Sequence, residues 1–242
     1  MRIVFKPDPV VEEETMAVQF VQPHRFSVDQ YVRMTEIGVL PEHGTELIDG
    51  VVVSGTRPFR FTSADFHRLA EAGILSEDDR VELFDGEIIE MTPVGSRHAS
   101  CVSRLARMLI ARAGDHIVRV QDPVHVDEGE DPQPDLAVVR ARDDEYEDSH
   151  PVAADVLLLV EVADTSVLFD RTAKTERYAA AGIPELWLVD LTRDVIVVSL
   201  VPIGGQFGSV REFRRGDWWH SPALGGSEIQ VDDVLGRGRP RR

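Results

Sequence analysis

Three side chains in the middle of this chain have the types and spacing to hold and use a divalent cation. Asp135 follows Pro134 in PQPDLAVV and opens a short apolar run. Glu161 lies inside VLLLVEVADTS (156–166), a segment with no basic residue. An ionised carboxylate in apolar surroundings is costly unless it is paired or binds a metal. Two such acids on neighbouring strands could share one hard cation, because Mg²⁺ accepts one or two protein carboxylates and completes its shell with waters and phosphate oxygens. Lys174 sits in FDRTAKTERYAAAG (169–182), four residues after Asp170 and four before Tyr178, so one helix face carries Arg171, Lys174 and Tyr178. Blander readings stand beside this one. A strand-end acid is often capped or solvent-facing, and Asp190 in LWLVD is a strand acid that needs no chemistry to explain it. Asp170 and Lys174 also form an i,i+4 helix pair worth about 0.2–0.5 kcal/mol. That pair accounts for the spacing but not for its place directly after the acidic strand.

The elements that must carry these residues follow from periodicity. SRHASCVSRLARMLIARA (96–113) puts His98, Val102, Leu105 and Leu109 on one helical stripe. HIVRVQ (116–121) and PVHV (123–126) read as one strand broken at Asp122-Pro123, DLAVVR (135–140) as a second, and DVLLLVEV (155–162) as a third that, apolar on both faces, should be central in a covered sheet. The helix over 169–182 ends at Gly182 with Pro184 just beyond. ELWLVDL (185–191) and DVIVVSLV (194–201) are further strands. The order from residue 96 is α-β-β-β-α-β with extra strands after it, which predicts an α/β layer sandwich around a mixed sheet.

Ahead of this core lies an internal duplication. FSVDQYVRMTEIGVLPEHGTELIDGVVV (26–53) aligns with FTSADFHRLAEAGILSEDDRVELFDGEII (61–89), with identities that include Phe26/Phe61, Arg33/Arg68, Gly38/Gly73, Glu46/Glu82 and Asp49-Gly50/Asp85-Gly86. Each copy predicts a Ser- or Thr-capped short helix, a glycine stop, and a hairpin turning on Asp-Gly. The chain therefore divides into an extension over 1–57 holding the first copy, a core domain over 58–202, C-terminal strands over 203–235, and a basic tail over 236–242 with four Arg in GRGRPRR. The tail is expected to be a disordered end, with a weak nucleic-acid arm as the alternative.

Composition sets the outer limits. The 242 residues carry a formal charge of −17 and a single cysteine, Cys101. One cysteine excludes an internal disulfide and any Cys-cluster metal site. No apolar run reaches membrane-spanning length, and KPDPVVEEET near the start is unlike a secretory signal, so a cytoplasmic protein with no membrane partner is expected. The net charge disfavours tight non-specific nucleic-acid binding, which needs Lys and Arg, but leaves room for a local basic groove.

Taken together, PQPDLAVV, LLVEVADTS and DRTAKTERYAAAGIPELWLVD, preceded by VELFDGEIIEM and RHA, resemble the Uma-two family of restriction-endonuclease-type proteins in the PD-(D/E)XK nuclease superfamily. The resemblance covers about residues 61–202. It implies a restriction-endonuclease-like core, with Pro134-Asp135 as the PD element and Glu161 as the second acid. The superfamily pattern places a Lys two residues after that acid, where this chain has Ala163; Lys174 matches branches in which the Lys has moved to the following helix. Glu82 matches the family's upstream acid, and His98 a position before the long helix. The activity implied is metal-assisted phosphodiester hydrolysis in DNA. Asp135 and Glu161 would hold Mg²⁺ (or Mn²⁺), Lys174 would assist the attacking water, and Arg97, Arg104 and Arg171 with His98 would contact substrate.

Ala163 and the net charge support a second reading, a nuclease-fold binding or regulatory module without turnover. Two further partners are compatible with the sequence: a second copy of the chain, and an unknown protein that docks on the duplicated segment.

Overall fold

The computed structural model describes residues 22–76, 78–91, 95–164 and 168–236, with side chains from 173 onward in the last stretch. The Arg-rich tail from 237 and the side chains of Asp170 and Arg171 lie outside the described residues.

Each copy of the duplication is a helix followed by a hairpin. The first comprises α1 (Val28–Glu36), β1 (Thr45–Ile48) and β2 (Val51–Ser54), with a two-residue β3 (Arg57–Pro58) added to its edge. The second comprises α2 (Ser63–Glu71), β4 (Val81–Phe84) and β5 (Glu87–Glu90). Ser27 and Thr62 begin the helices in capping boxes closed by Gln30 and Asp65. Both hairpins turn on Asp-Gly with positive φ at each residue (48° and 80° in one, 48° and 71° in the other), the geometry a type I′ turn requires.

The copies are locked to each other reciprocally. The Arg33 guanidinium on α1 donates to the Ala72 carbonyl at the end of α2, and Arg68 on α2 donates to Ile37 at the end of α1. Each arginine thereby satisfies carbonyls that a helix C-terminus leaves unpaired. One apolar cluster spans both copies, with Met34, Leu40 and Val52 from the first and Leu69, Leu75 and Leu83 from the second. The packing is thus continuous across the 57/58 division.

The core begins with α3 (Ser96–Ile110), three residues shorter than its periodicity predicts. It continues through β6 (Ile117–Val120), β7 (Leu136–Val139), β8 (Val156–Ala163), α4 (Leu168–Ala180), β9 (Glu185–Asp190), β10 (Val195–Ile203) and β11 (Gln206–Arg214). These strands form a six-stranded mixed sheet in the order β11-β10-β9-β8-β7-β6; β8 and β9 run parallel, joined by α4, and the other neighbours are antiparallel. PVHV, expected as strand, makes only an isolated bridge from His125 to Val152; Pro123 removes one of the N–H groups a ladder would need.

Alternation along β8 divides the sheet's two faces. Leu158, Val160 and Val162 join the cluster built with Val102, Leu105 and Leu109 of α3. Leu159 joins the opposite cluster, which contains Tyr178 of α4. Glu161 is in phase with Leu159, so it faces α4. β12 (Trp218–Ser221), β13 (Ser227–Gln230) and α5 (Val231–Leu235) close the α3 side: Trp219, Ile229 and Val234 belong to that cluster. The buried Glu185 accepts hydrogen bonds there from Trp187 Nε1, Ser221 Oγ and the Ala223 N–H.

Met34 is fully buried in the cluster shared by the two copies. Met34→Ala is expected to lower stability by about 2–5 kcal/mol and to shift one cooperative urea transition seen by both far-UV dichroism and tryptophan fluorescence. Two separated transitions, only one of them shifted, would show that the first copy unfolds alone.

Candidate functional site

The site forms where β7 and β8 begin and end side by side. β7 pairs with β8 in a register that sets Leu136 against Val160, and one step further along the same register sets Asp135 against Glu161. The peptide N–H of Val162 donates to Asp135 Oδ2 at 2.8 Å, which ties that carboxylate to the strand carrying the second acid. Asp135 Oδ1 accepts from His98 Nε2 at 2.7 Å and from Gln121 Nε2 at 3.3 Å. His98 comes from the first turn of α3, so the helix on the far face of the sheet reaches round the strand end to hold Asp135. The Asp135 carboxylate raises the His98 pKa above its usual value, against the opposing effect of burial.

Glu161 projects toward α4. Its Oε1 accepts from the Tyr178 hydroxyl at 2.7 Å and lies 3.9 Å from Lys174 Nζ. Lys174 and Tyr178 are one turn apart on α4 and share a face, so a single helix delivers both groups to the same oxygen. Burial pushes the Glu161 pKa up to about 7; Lys174 and the Tyr178 hydroxyl oppose the rise, and the neighbouring Asp135 and Glu82 carboxylates add to it.

Glu82 completes the group. It is 4% exposed on β4, in the second copy's hairpin. Lys174 Nζ lies 2.9 Å from its Oε1 and 3.1 Å from its Oε2, and the Gln133 N–H donates to Oε2 at 3.2 Å. One turn along α4, Arg177 meets Asp85 at 2.9 Å and Glu130 at 3.4 Å. Two cation–carboxylate contacts on successive turns of one helix thus clamp the hairpin over the strand ends.

Of the residues singled out in the sequence, Asp135, Glu161, Lys174, Glu82 and His98 come together here. Arg97 stands beside the end of β8, 3.8 Å from Asp164 and 2.9 Å from Asp194. Arg104 is directed elsewhere: it donates to the Val234 and Leu235 carbonyls of α5 and to Ser100. The Arg171 side chain lies outside the described residues. The contrast with Asp190 is instructive. That acid is fully buried, yet its Oδ1 accepts from Thr192 N, Thr192 Oγ1 and Arg193 N, so groups of the turn that follows it satisfy this oxygen.

The hydrogen-bond partners of Asp135 and Glu161 are instead three side chains distant in sequence, His98, Gln121 and Tyr178, and a neighbouring strand's N–H. Gln121, whose φ is +55°, and the Val162 N–H were not legible as site groups. Tyr178 was visible on the Lys174 face but carried no assigned role.

Among the described residues, no set of three or more His, Cys, Asp or Glu side chains is arranged to hold a metal ion. The donor chemistry nevertheless fits a hard divalent cation that needs only two carboxylates. Glu82 and Glu161 both lie against the Lys174 ammonium, Asp135 stands beside Glu161, and Glu161 Oε2 takes no hydrogen bond among the described residues. An added cation offsets like-charge repulsion of this kind.

A family model described as "Putative restriction endonuclease", Uma2, matches residues 63–232. No curated protein matches the sequence. Among solved structures, a putative nuclease of the DUF820 family from Anabaena variabilis ATCC 29413 is similar in fold, with a TM-score of 0.57 at 14% identity over 72% of this chain and 97% of that one. No helix among the described residues is long and apolar enough to cross a membrane.

The raised Glu161 pKa makes stability depend on pH in a defined direction. The folded state keeps this proton more tightly than the unfolded chain. The stability linked to it is fully present below the ordinary glutamate value and is lost as pH rises through about 7. His98 contributes with the same sign. Without divalent cations, the wild type should therefore lose stability as pH rises from about 5 through about 7. Glu161→Gln should gain on the wild type as pH rises; denaturant titrations with a constant difference at every pH would contradict this.

Proposed function

The chain belongs to the Uma2 family of putative restriction endonucleases, and from that premise we propose that it is a metal-dependent endonuclease that hydrolyses phosphodiester bonds in DNA. The observation that carries the reading is the convergence of Asp135 and Glu161, from adjacent strands, with Lys174 from the helix after β8, its Nζ 3.9 Å from Glu161.

Asp135 and Glu161 hold the cation, Mg²⁺ or Mn²⁺, with hard oxygen donors. Bound there, such an ion lowers the pKa of a coordinated water and polarises a phosphate oxygen. The remaining work falls to the chain's own side chains. Lys174 orients the attacking water and stabilises negative charge as it develops on the phosphate. It fills the place left by Ala163, at which a literal E-x-K motif would have its lysine. Glu82 acts as a positioning residue for Lys174: buried and bonded to it through both oxygens, it restrains the ammonium of a long, flexible side chain. His98 is better read as a positioning residue for Asp135 than as a substrate contact, since its Nε2 is engaged with that carboxylate. Arg97, near the end of β8, is the arginine suited to a backbone phosphate, a contact that fixes position without reading sequence.

Purified protein is expected to nick or linearise plasmid DNA in Mg²⁺ or Mn²⁺ and to be inactive in chelator. Asp135→Ala, Glu161→Ala and Lys174→Ala should each lower the rate by about 100-fold or more. Cleavage that persists in all three variants would mean that these residues are not the site. A folded wild type that neither cleaves nor takes up metal in calorimetry would instead indicate a nuclease-fold binding or regulatory module.

A further inference from the structure

We infer that Tyr178 is a positioning residue that sets how Glu161 presents itself to a cation, and thereby favours Mg²⁺ and Mn²⁺ over Ca²⁺. The inference rests on the metal-dependent reading above and adds a determinant of metal choice to it.

Tyr178 is 1% exposed, so its hydroxyl has little access to water and must find a partner within the protein. It donates to Glu161 Oε1 at 2.7 Å, a length typical of a strong hydroxyl–carboxylate bond. Lys174 Nζ, one turn earlier on α4, approaches the same Oε1 at 3.9 Å. Both groups from α4 thus act on one oxygen of the carboxylate, and Oε2 is left without a hydrogen bond among the described residues. The arrangement is rigid at both ends. The Tyr178 ring packs in the apolar cluster with Leu159, Ile183 and Leu186, and the Tyr178 carbonyl accepts the Ile183 N–H where the helix ends.

A carboxylate with one oxygen engaged in this way is suited to coordinate through the other oxygen alone. Small octahedral ions such as Mg²⁺ accept single oxygens at short distance, whereas Ca²⁺ takes more oxygen ligands and readily uses both oxygens of a carboxylate. Tyr178 therefore discourages the two-oxygen mode at Glu161 and removes an advantage that Ca²⁺ would otherwise have. Hydrogen-bond partners that orient metal ligands typically account for 10–100-fold in metal affinity.

Tyr178→Phe isolates this role, because it keeps the buried ring and deletes only the hydroxyl. The full chain would be titrated with Mn²⁺ by electron paramagnetic resonance and with Ca²⁺ by calorimetry, with melting temperatures measured in parallel. The expected result is an Mn²⁺ affinity about 10–100-fold weaker than wild type, with a smaller loss or a gain for Ca²⁺, so that the ratio of the two affinities falls. A purely structural tyrosine would lower the melting temperature and leave that ratio unchanged, which would overturn the inference. Wild type that takes up no Mn²⁺ would overturn the metal-dependent reading and this inference with it. Wild type that binds Mn²⁺ while Tyr178→Phe matches its ratio would overturn this inference alone.

Discussion

Everything at this site depends on holding carboxylates of like charge together at the end of a largely buried pair of strands. Asp135 and Glu161 are cross-strand neighbours, and Glu82 enters from a separate hairpin. Each has partners that limit the cost. Asp135 has the Val162 N–H and two side chains, Glu161 has a hydroxyl, and Glu82 shares both its oxygens with Lys174. Burial still raises the Glu161 pKa to about 7, and the neighbouring Asp135 and Glu82 carboxylates add to the rise. The proposed divalent cation would offset this repulsion.

The same demand explains why the surrounding architecture takes its form. The strand ends must be exact in register, because a slip of one residue between β7 and β8 would turn one acid to the other face of the sheet. The apolar residues around them enforce that register: Leu158 and Val160 pack on the α3 side, and Leu159 on the α4 side. The helix returning from β8 to β9 must lie over the face to which Glu161 points, and a parallel crossover places it there. The second helix-hairpin copy then contributes more than a connection. Its hairpin supplies Glu82, and Arg177 one turn from Lys174 fastens Asp85 of the Asp-Gly turn to α4.

The duplication shows how one local sequence can serve two ends. Glu46 in the first copy matches Glu82 in the second, but Glu46 is exposed while Glu82 is buried against Lys174. The two hairpins share a turn, a strand pattern and a helix cap. They differ in what lies against them: the second meets Lys174 and Arg177 of α4. The first copy instead buttresses its twin through the Arg33 and Arg68 contacts and the shared apolar cluster.

Much was legible in the sequence because it is governed by local physics. Capped helices, Asp-Gly hairpins, the apolar run of β8 and the helix ending near Gly182 all follow from backbone preferences and side-chain periodicity. So did the oddity of Glu161, an acid without a nearby base in a run that has to be buried. Long-range packing decided the rest. PVHV has strand-like composition but lacks a continuous ladder partner. Arg104 lies on the helix that carries His98 but is drawn to the carbonyls of α5, a segment about 130 residues away. Tyr178, Gln121 and the Val162 N–H acquire their roles only because strands and helices distant in the chain meet at one point. A sequence records which groups are available, while the partner each group finds depends on which surfaces the fold brings within hydrogen-bonding distance.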